Sequence, residues 1–419
     1  MPKNKYIPRI CDTALQNALE RMGAVLIEGA KWCGKTSTAA NVAGSTLDLQ
    51  DPDNTNSYQQ LADTKPSLLL KGETPRLIDE WQMSPGLWDA VRFEVDKRQK
   101  TGQFILTGST RPADNVTAHT GTGRFARILM RPMSLYESNG SISLAALFEQ
   151  DHDIEAVSTL SIQQIAYAIC RGGFPATIDK QEKIALQMPI DYVEAIINHD
   201  ISDVDGVDKN PNRVRLLLRS LARNIATVAT APTILKDIES TETTISDKTL
   251  AVYYNALQRI YVAEPLPAWS PSLRSKTAIR TSNKHHFVDP CIATAVMRVN
   301  PSGILQDFEY SGFLFEALCV RDMRIYAQNS DGDVFHYRDK TGLEADMIVA
   351  LRDGRWGAIE VKLGNKQIEE AAENLLTLKA KIDTEKMREP SFLMVVTGGQ
   401  YAFKREDGVL VVPIGCLKN

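Results

Sequence analysis

The 419-residue sequence has no apolar run approaching ~18 residues, so no membrane-spanning helix is expected. Its six cysteines (Cys11, Cys33, Cys170, Cys291, Cys319, Cys416) form no C-x-x-C pair and no zinc-like spacing. That points to a reducing compartment and away from a metal cluster. Charge of one sign is also lacking: the net −4 argues against a generally basic nucleic-acid binder, though not against a local basic groove. The amino end, MPKNKYIPRICD, lacks the apolar core of a signal peptide, so a cytoplasmic location is the expectation. No repeat or low-complexity tract is found. The chain is too long for one typical core, and two or three domains are expected.

What is present is concentrated between Ala24 and Thr38. Apolar residues Ala24 to Ile27 read as a buried strand. Gly29-Ala30-Lys31-Trp32-Cys33-Gly34-Lys35-Thr36 then completes a G-x-x-x-x-G-K-[ST] phosphate loop, with Ser37 following. Gly29 and Gly34 let the backbone curl so that successive N–H groups face phosphate oxygens. Lys35 reaches the β- and γ-phosphates, and the Thr36 hydroxyl suits Mg²⁺. A helix starting near Lys35 adds its positive dipole end. The blander alternative is a glycine turn between a strand and a helix. Cys33 inside the loop is read as oxidation-sensitive or as a variable filler.

The chain upstream, residues 9–21, reads as a helix, and Thr46 to Gln50 as a second strand. Arg76-Leu77-Ile78-Asp79-Glu80 runs apolar residues into two carboxylates. At a buried strand end Asp79 can hold the Mg²⁺ shell and Glu80 can polarise an attacking water. Gln103 to Thr107 is another strand, after which Thr107 and Ser109 are both candidates to contact the γ-phosphate or the water. A strand with a polar tip between the other two marks the additional-strand NTPases. Arg124 precedes the next strand, FARILMRP, where ring-forming ATPases place a finger onto a neighbour's nucleotide; Arg127 and Arg131 are fallbacks. The base-reading N-K-x-D motif is absent where a GTPase needs it, and Asp79-Glu80 suits ATP hydrolysis, so a GTPase or nucleotide kinase is disfavoured.

On GAKWCGKT, RLIDEWQ, FILTGST, GTGR…RPMSLYE and Arg171-Gly172-Gly173-Phe174-Pro175, the chain resembles AAA-type ATPases with a carboxyl-terminal DUF4143 domain. The resemblance covers essentially the whole chain. It implies an α/β additional-strand P-loop (AAA+) domain over 1–150 with strand order 5-1-4-3-2. A helical lid with a winged-helix-like part follows over 151–300, then a DUF4143 module over 301–419. It implies ATP and Mg²⁺ as ligands and a fold more than a biological role.

In the middle region Arg215, Arg219 and Arg223 share one helix face. That stripe could track phosphates, face solvent or contact a subunit. Residues 245–263 read as a capped helix. From about 310 the pattern becomes helix (Tyr310 to Arg321), three strands, helix, strand, strand. An acid on one strand and E-x-K on the next are the restriction-endonuclease-like signature, a fold DUF4143 domains resemble. Asp346, Glu360 and Glu316 are candidate Mg²⁺ ligands, and Lys362 would orient water or stabilise the pentavalent phosphate. Shared apolar faces require Asp346 opposite Glu360, which predicts a three-residue loop Arg352-Asp353-Gly354 with Gly354 left-handed.

Two functions follow. One is ATP hydrolysis coupled to a nuclease-like module acting on or binding DNA or RNA. The other is an ATP-dependent switch or scaffold whose carboxyl-terminal module binds a protein partner and cuts nothing. A finger acting in trans would require a homo-oligomer.

Overall fold

The structure, a computed structural model, describes residues 6–111, 121–137, 142–149, 154–204, 206–239, 245–271, 281–385 and 387–418. The proline- and serine-rich stretch 265–276, PLPAWSPSLRSK, reads from sequence as a break in the helical pattern, and part of it lies outside these residues. The chain divides into two compact units. The first is Met1–Pro132 with His199–Asp208 and Asn255–Val262; the second is Met133–Asn198, Lys209–Tyr254 and Ala263–Asn419. The expected boundaries at 150 and 300 both fall inside the second unit.

In the first unit the helix Cys11–Arg21 leads into β1 (Ala24–Glu28). Then come β2 (Ser45–Asp48), β3 (Arg76–Asp79), β4 (Phe104–Gly108) and β5 (Phe125–Leu129), all parallel, in the order β2-β3-β4-β1-β5. This is the 5-1-4-3-2 arrangement. All five residues of β1 are buried because the strand is covered on both faces. Its alternation sends Ala24 and Leu26 into a cluster with Trp81, Trp88, Phe104 and Leu106. Val25 and Ile27 go to the other side, with Leu15, Ile105 and Ile128. The Val, Leu, Ile and Phe side chains among these each contribute about 1.5–3 kcal/mol by burial. The register pairs Ile27 with Thr107, Leu106 with Ile78, and Asp48 with Asp79. The polar strand tips are thereby aligned along one edge, the carboxyl edge where α/β sheets bind ligands.

The second unit begins with β6 (Ile142–Ser143) and β7 (Ala156–Val157). Helices follow, including Ile162–Arg171, Glu182–Ala195, Pro211–Arg223 and Cys291–Met297. The RPMS and GGFP segments named above meet here: Met133 N donates to Gly173 O at 2.6 Å, and Gly173 N to Asp289 Oδ2 at 2.9 Å. The helix Phe308–Asn329 outruns the expected end at Arg321. Arg321 and Asp322 look like a break in the apolar pattern, but both are buried, with Arg321 paired to Asp289 at 2.8 Å and to Asp322 at 2.7 Å.

After that helix come β8 (Gly332–Arg338), β9 (Glu344–Leu351), β10 (Trp356–Lys362), β11 (Phe392–Thr397), β12 (Tyr401–Lys404) and β13 (Leu410–Pro413). With β7 they form a sheet ordered β7-β12-β13-β11-β10-β9-β8. β14 (Leu417–Lys418) pairs with β6. The helix Ile368–Ala380 buries Ala371, Leu375 and Leu378 against Trp356, Ala358 and Val395. β12 was not expected: Tyr401, Ala402 and Phe403 are apolar, but only Ala402 in it is buried, and the run is only four residues long. Between β9 and β10 the register pairs Trp356 with Ala350 and Ile359 with Met347. Continued by one residue, it sets Glu360 across from Asp346. The connection is Arg352-Asp353-Gly354, closed by Leu351 N donating to Arg355 O at 2.8 Å, with Gly354 at φ +87°. This is the expected three-residue loop.

Candidate active site and a second carboxylate cluster

The phosphate loop leaves β1 at Gly29 and enters the helix Lys35–Val42 through Gly34, whose φ of +101° is left-handed. A side chain at Gly29 would strike Met130 O at 2.1 Å, so the curl needs glycine at both ends. Lys35 is buried, and its ammonium donates to Gly29 O at 3.0 Å and Ala30 O at 2.9 Å. The amine thus stands in the mouth of the loop, held by the loop's own backbone. Trp32 is half exposed. Cys33 is fully buried, with Sγ 3.4 Å from Met130 O, so it is a packed residue of the loop base, not an accessible thiol. Lys31 pairs with Asp200 at 2.7 Å.

The carboxylates stand where β3 ends. Thr36 Oγ1 donates to both Asp79 oxygens, at 2.9 and 3.1 Å. Thr107 donates its hydroxyl to Asp79 Oδ1 and accepts the Glu80 N–H at 3.1 Å. Burial raises the Asp79 carboxyl above the usual range, against the pull of the Thr107 and Thr36 hydroxyls. Glu80 takes a left-handed φ of +55°, a conformation that costs a non-glycine residue about 1–2 kcal/mol. Its carboxylate accepts from Ser109 Oγ at 3.0 Å and from Gln82 Nε2. Thr107 and Ser109, left as alternatives by the sequence, therefore have separate partners: one fixes Asp79, the other Glu80. Gln82 was not singled out, although it sits within the RLIDEWQ string.

The residues fit Mg²⁺. The ion prefers oxygen ligands at about 2.1 Å in octahedral geometry, so two adjacent ligands lie about 3.0 Å apart. Thr36 Oγ1 and Asp79 Oδ1 are 2.9 Å apart.

The three arginines are placed differently. Arg124 immediately precedes β5, whose Phe125 pairs with Ala24 at the start of β1. It stands at the amino edge of the sheet, the opposite end from its own phosphate loop, and pairs with Asp96 at 2.9 Å. Arg127 pairs with Glu28 at 3.4 Å, and the carbonyl of Arg131 accepts from Arg9 at 2.9 Å. In the middle region the arginine stripe is partly spent: Arg215 makes a bidentate pair with Glu194, at 2.7 and 2.8 Å, and Arg223 pairs with Asp237. Arg219 is exposed.

The second cluster lies in the other unit. The structure brings Glu316, Asp346, Glu360 and Lys362 together and adds a residue that sequence reasoning missed, Lys284. Its ammonium is 2.7 Å from Glu316 Oε1 and 3.4 Å from Asp346 Oδ1. Lys362 Nζ is 2.9 Å from Glu360 Oε2. Asp346 Oδ2 accepts the Val361 N–H at 2.9 Å. Burial raises Glu316 to about 7 and also raises Glu360, the charge of Asp346 adding to the latter. Burial disfavours charge on Lys284 too, but Glu316 and Asp346 outweigh it and hold the ammonium above its usual range. No signal near Lys284 could have found it; only the fold carries the segment Ser282 to His286 to this place.

The expected Mg²⁺ shell of Glu316, Asp346 and Glu360 does not fit. Among the described residues no group of three or more His, Cys, Asp or Glu side chains is placed to hold a metal ion. Lys284 occupies the position between two of the three carboxylates. Among the described residues, too, no helix is long and apolar enough to cross a membrane.

Family models match three successive stretches: an AAA domain over 21–139, a domain of unknown function (DUF8612) over 162–303, and a domain of unknown function (DUF4143) over 311–417. No curated protein matches. Among solved structures, the Walker-type ATPase PABY2304 of Pyrococcus abyssi is similar at 14% identity, covering 71% of this chain and 97% of that one, with a TM-score of 0.43.

Proposed function

We propose that this chain, with an AAA domain at its amino end and a DUF4143 domain at its carboxyl end, is a Mg²⁺-dependent ATPase that uses ATP turnover as a switch. Support comes chiefly from one convergence: Thr36 on Asp79 and Ser109 on Glu80, beside a phosphate loop closed around Lys35. The main-chain N–H groups of Gly29 to Thr36 and the Lys35 ammonium bind the phosphates. Thr36 and Asp79 hold Mg²⁺, which when bound neutralises charge on the phosphate oxygens. Glu80, oriented by Ser109 and Gln82, polarises the attacking water. Thr107 ties the Asp79 side chain to the Glu80 backbone, so the two carboxylates keep their separate tasks. Calorimetry with MgATP tests binding; wild type should bind and Lys35→Ala should not. Equal binding by both would remove the proposal.

Arg124 is the finger of this reading only in trans, because it stands at the far edge of its own sheet. Mixing Arg124→Ala with Glu80→Gln chains should restore turnover that neither has alone. Absence of restoration would remove the assembled site.

For the carboxyl-terminal module, the position of Lys284 favours the non-cleaving reading, a binding module for a protein partner, over a nuclease acting on DNA or RNA. Plasmid, single-stranded DNA and RNA should survive incubation with Mg²⁺ or Mn²⁺, with or without ATP. Cutting that disappears in Glu360→Ala or Lys362→Ala while ATPase persists would reverse this choice.

A further inference from the structure

The tips of β1 and β4 carry two parts of the first site. β1 ends at Glu28, the residue before Gly29 of the phosphate loop, and β4 ends at Gly108, the residue before Ser109. The register sets Glu28 beside Gly108. Two residues beyond Ser109 stands Arg111, whose Nη2 donates to Glu28 Oε1 at 3.2 Å. The Glu28 side chain is 11% exposed, and its second oxygen takes Arg127 at 3.4 Å. One guanidinium thus ties the strand that leads into the loop to the segment that carries Ser109.

Arg111 is in turn gripped from outside the AAA match. Arg259 and Tyr261 lie within the DUF8612 match, 162–303, yet belong to the first compact unit through Asn255–Val262. Arg111 N donates to Arg259 O at 2.9 Å, and Arg259 Nε donates to Arg111 O at 3.1 Å. The Arg111 guanidinium lies over the Tyr261 ring, 5.5 Å from its centroid. Arg259 Nη2 also donates to Val204 O at 3.0 Å, which brings the segment His199–Asp208 into the same joint. Main chain and head group of Arg111 are both held, although its side chain is 56% exposed. Stability does not account for this: an exposed ion pair contributes little, and ordering a long side chain costs rotamer freedom. Such holding gives placement, and a misplacement of about 1 Å at reacting groups can cost about 10²-fold in rate.

We propose that Arg111 is a positioning residue for ATP hydrolysis. It locks the tip of β4 to the tip of β1, so that Ser109, and the Glu80 carboxylate that Ser109 holds, keep their place against the phosphate loop. Arg259 and Tyr261 secure the lock, which makes turnover depend on the region that follows the AAA match. This rests on reading the chain as an ATPase, but the two fail separately. A wild type that neither binds nor turns over MgATP defeats that reading, whereas variants of a working wild type decide this one.

The test sets kcat, from phosphate release, against the MgATP Kd from calorimetry, both on the full chain. Arg111→Gln should fold, because Arg127 still answers the Glu28 charge. It should lower kcat at least ~10-fold while Kd stays within about twofold of wild type. Arg259→Gln should act in the same direction. Tyr261→Leu should lower kcat too, and Tyr261→Phe, which keeps the ring under the guanidinium, should recover most of that loss. A wild-type kcat in Arg111→Gln overturns the proposal. So does a Kd weakened as much as kcat, which would make Arg111 a contact of the nucleotide. Should Arg111→Gln fail to fold, the Tyr261 variants decide, and equal rates in Tyr261→Leu and Tyr261→Phe overturn it.

Discussion

The two carboxylate groups of this protein show how the same residue types reach opposite ends. At the phosphate loop the lysine is turned onto backbone carbonyls, and Asp79 and Glu80 are held by hydroxyls and an amide. Neutral donors orient a carboxylate without cancelling its charge. In the DUF4143 module two lysines sit directly on the acids. There the charge is already answered from inside the chain. What separates a site prepared for a ligand from a closed one is therefore where the ammonium groups point, not how many acids converge.

The largest expected effect comes from removing the charge that the first site keeps. Glu80→Gln should retain ATP binding and slow hydrolysis by about 10²–10⁴-fold, measured as phosphate release. Glu360→Gln should leave the rate unchanged. If both variants slow turnover alike, the two clusters are not chemically independent and the contrast collapses.

That contrast was half legible in the sequence. The phosphate loop and Arg76 to Glu80 are local strings whose spacing carries the chemistry, and the fold places them as the strings imply. The pairing of Asp346 with Glu360 was legible for a different reason: the period of two along β9 and β10 leaves one register that puts both apolar faces together. Lys284 was illegible because its role depends on a contact with residues 32 and 62 positions away. No periodicity reports such a contact. The length of the helix Phe308–Asn329 was hidden similarly, since Arg321 and Asp322 signal an exposed turn until Asp289 is seen to cover them.

The second effect tests closure. Glu316→Ala leaves Lys284 buried with half its partners, which should cost about 3–5 kcal/mol in urea unfolding of the second unit. The joint replacement Lys284→Met/Glu316→Leu/Asp346→Asn removes all three charges and should cost far less. Equal losses would mean that packing, not charge, dominates there.

Acid offers a third, smaller test. His336 is buried and its Nε2 lies 3.0 Å from Ser282 O. Burial lowers its pKa from the ordinary 6.5 to about 4, with the Lys284 charge adding to the shift. A histidine held neutral in the fold gives stability that is complete above pH 6.5 and lost as pH falls through 4. Glu316, raised to about 7, works the other way: its contribution fades as pH rises from 4.5 through 7. The two overlap, so the readout is the difference between wild type and His336→Asn. That difference should be flat above pH 6.5 and shrink toward pH 4; a difference independent of pH would show that His336 does not titrate as the fold implies.

The smallest effect belongs to the pair that most nearly mixes the two designs. Lys31 lies in the phosphate loop, yet its ammonium is 2.7 Å from a carboxylate, Asp200, at the end of the π-helical turn Ile196–Asp200. Unlike Lys284, it is 45% exposed at the side chain, so water already shares its charge. Exposed pairs contribute about 0.2–1 kcal/mol and weaken with salt. If Lys31 also serves the phosphates, Asp200 competes for it, and Asp200→Asn should tighten MgATP binding by about two- to five-fold at low ionic strength, and less at high. The buried Lys284–Glu316 pair should show no comparable salt dependence. If Asp200→Asn instead weakens binding, Asp200 holds Lys31 in position for the phosphates, and the boundary between a prepared and a closed site runs through geometry as well as charge.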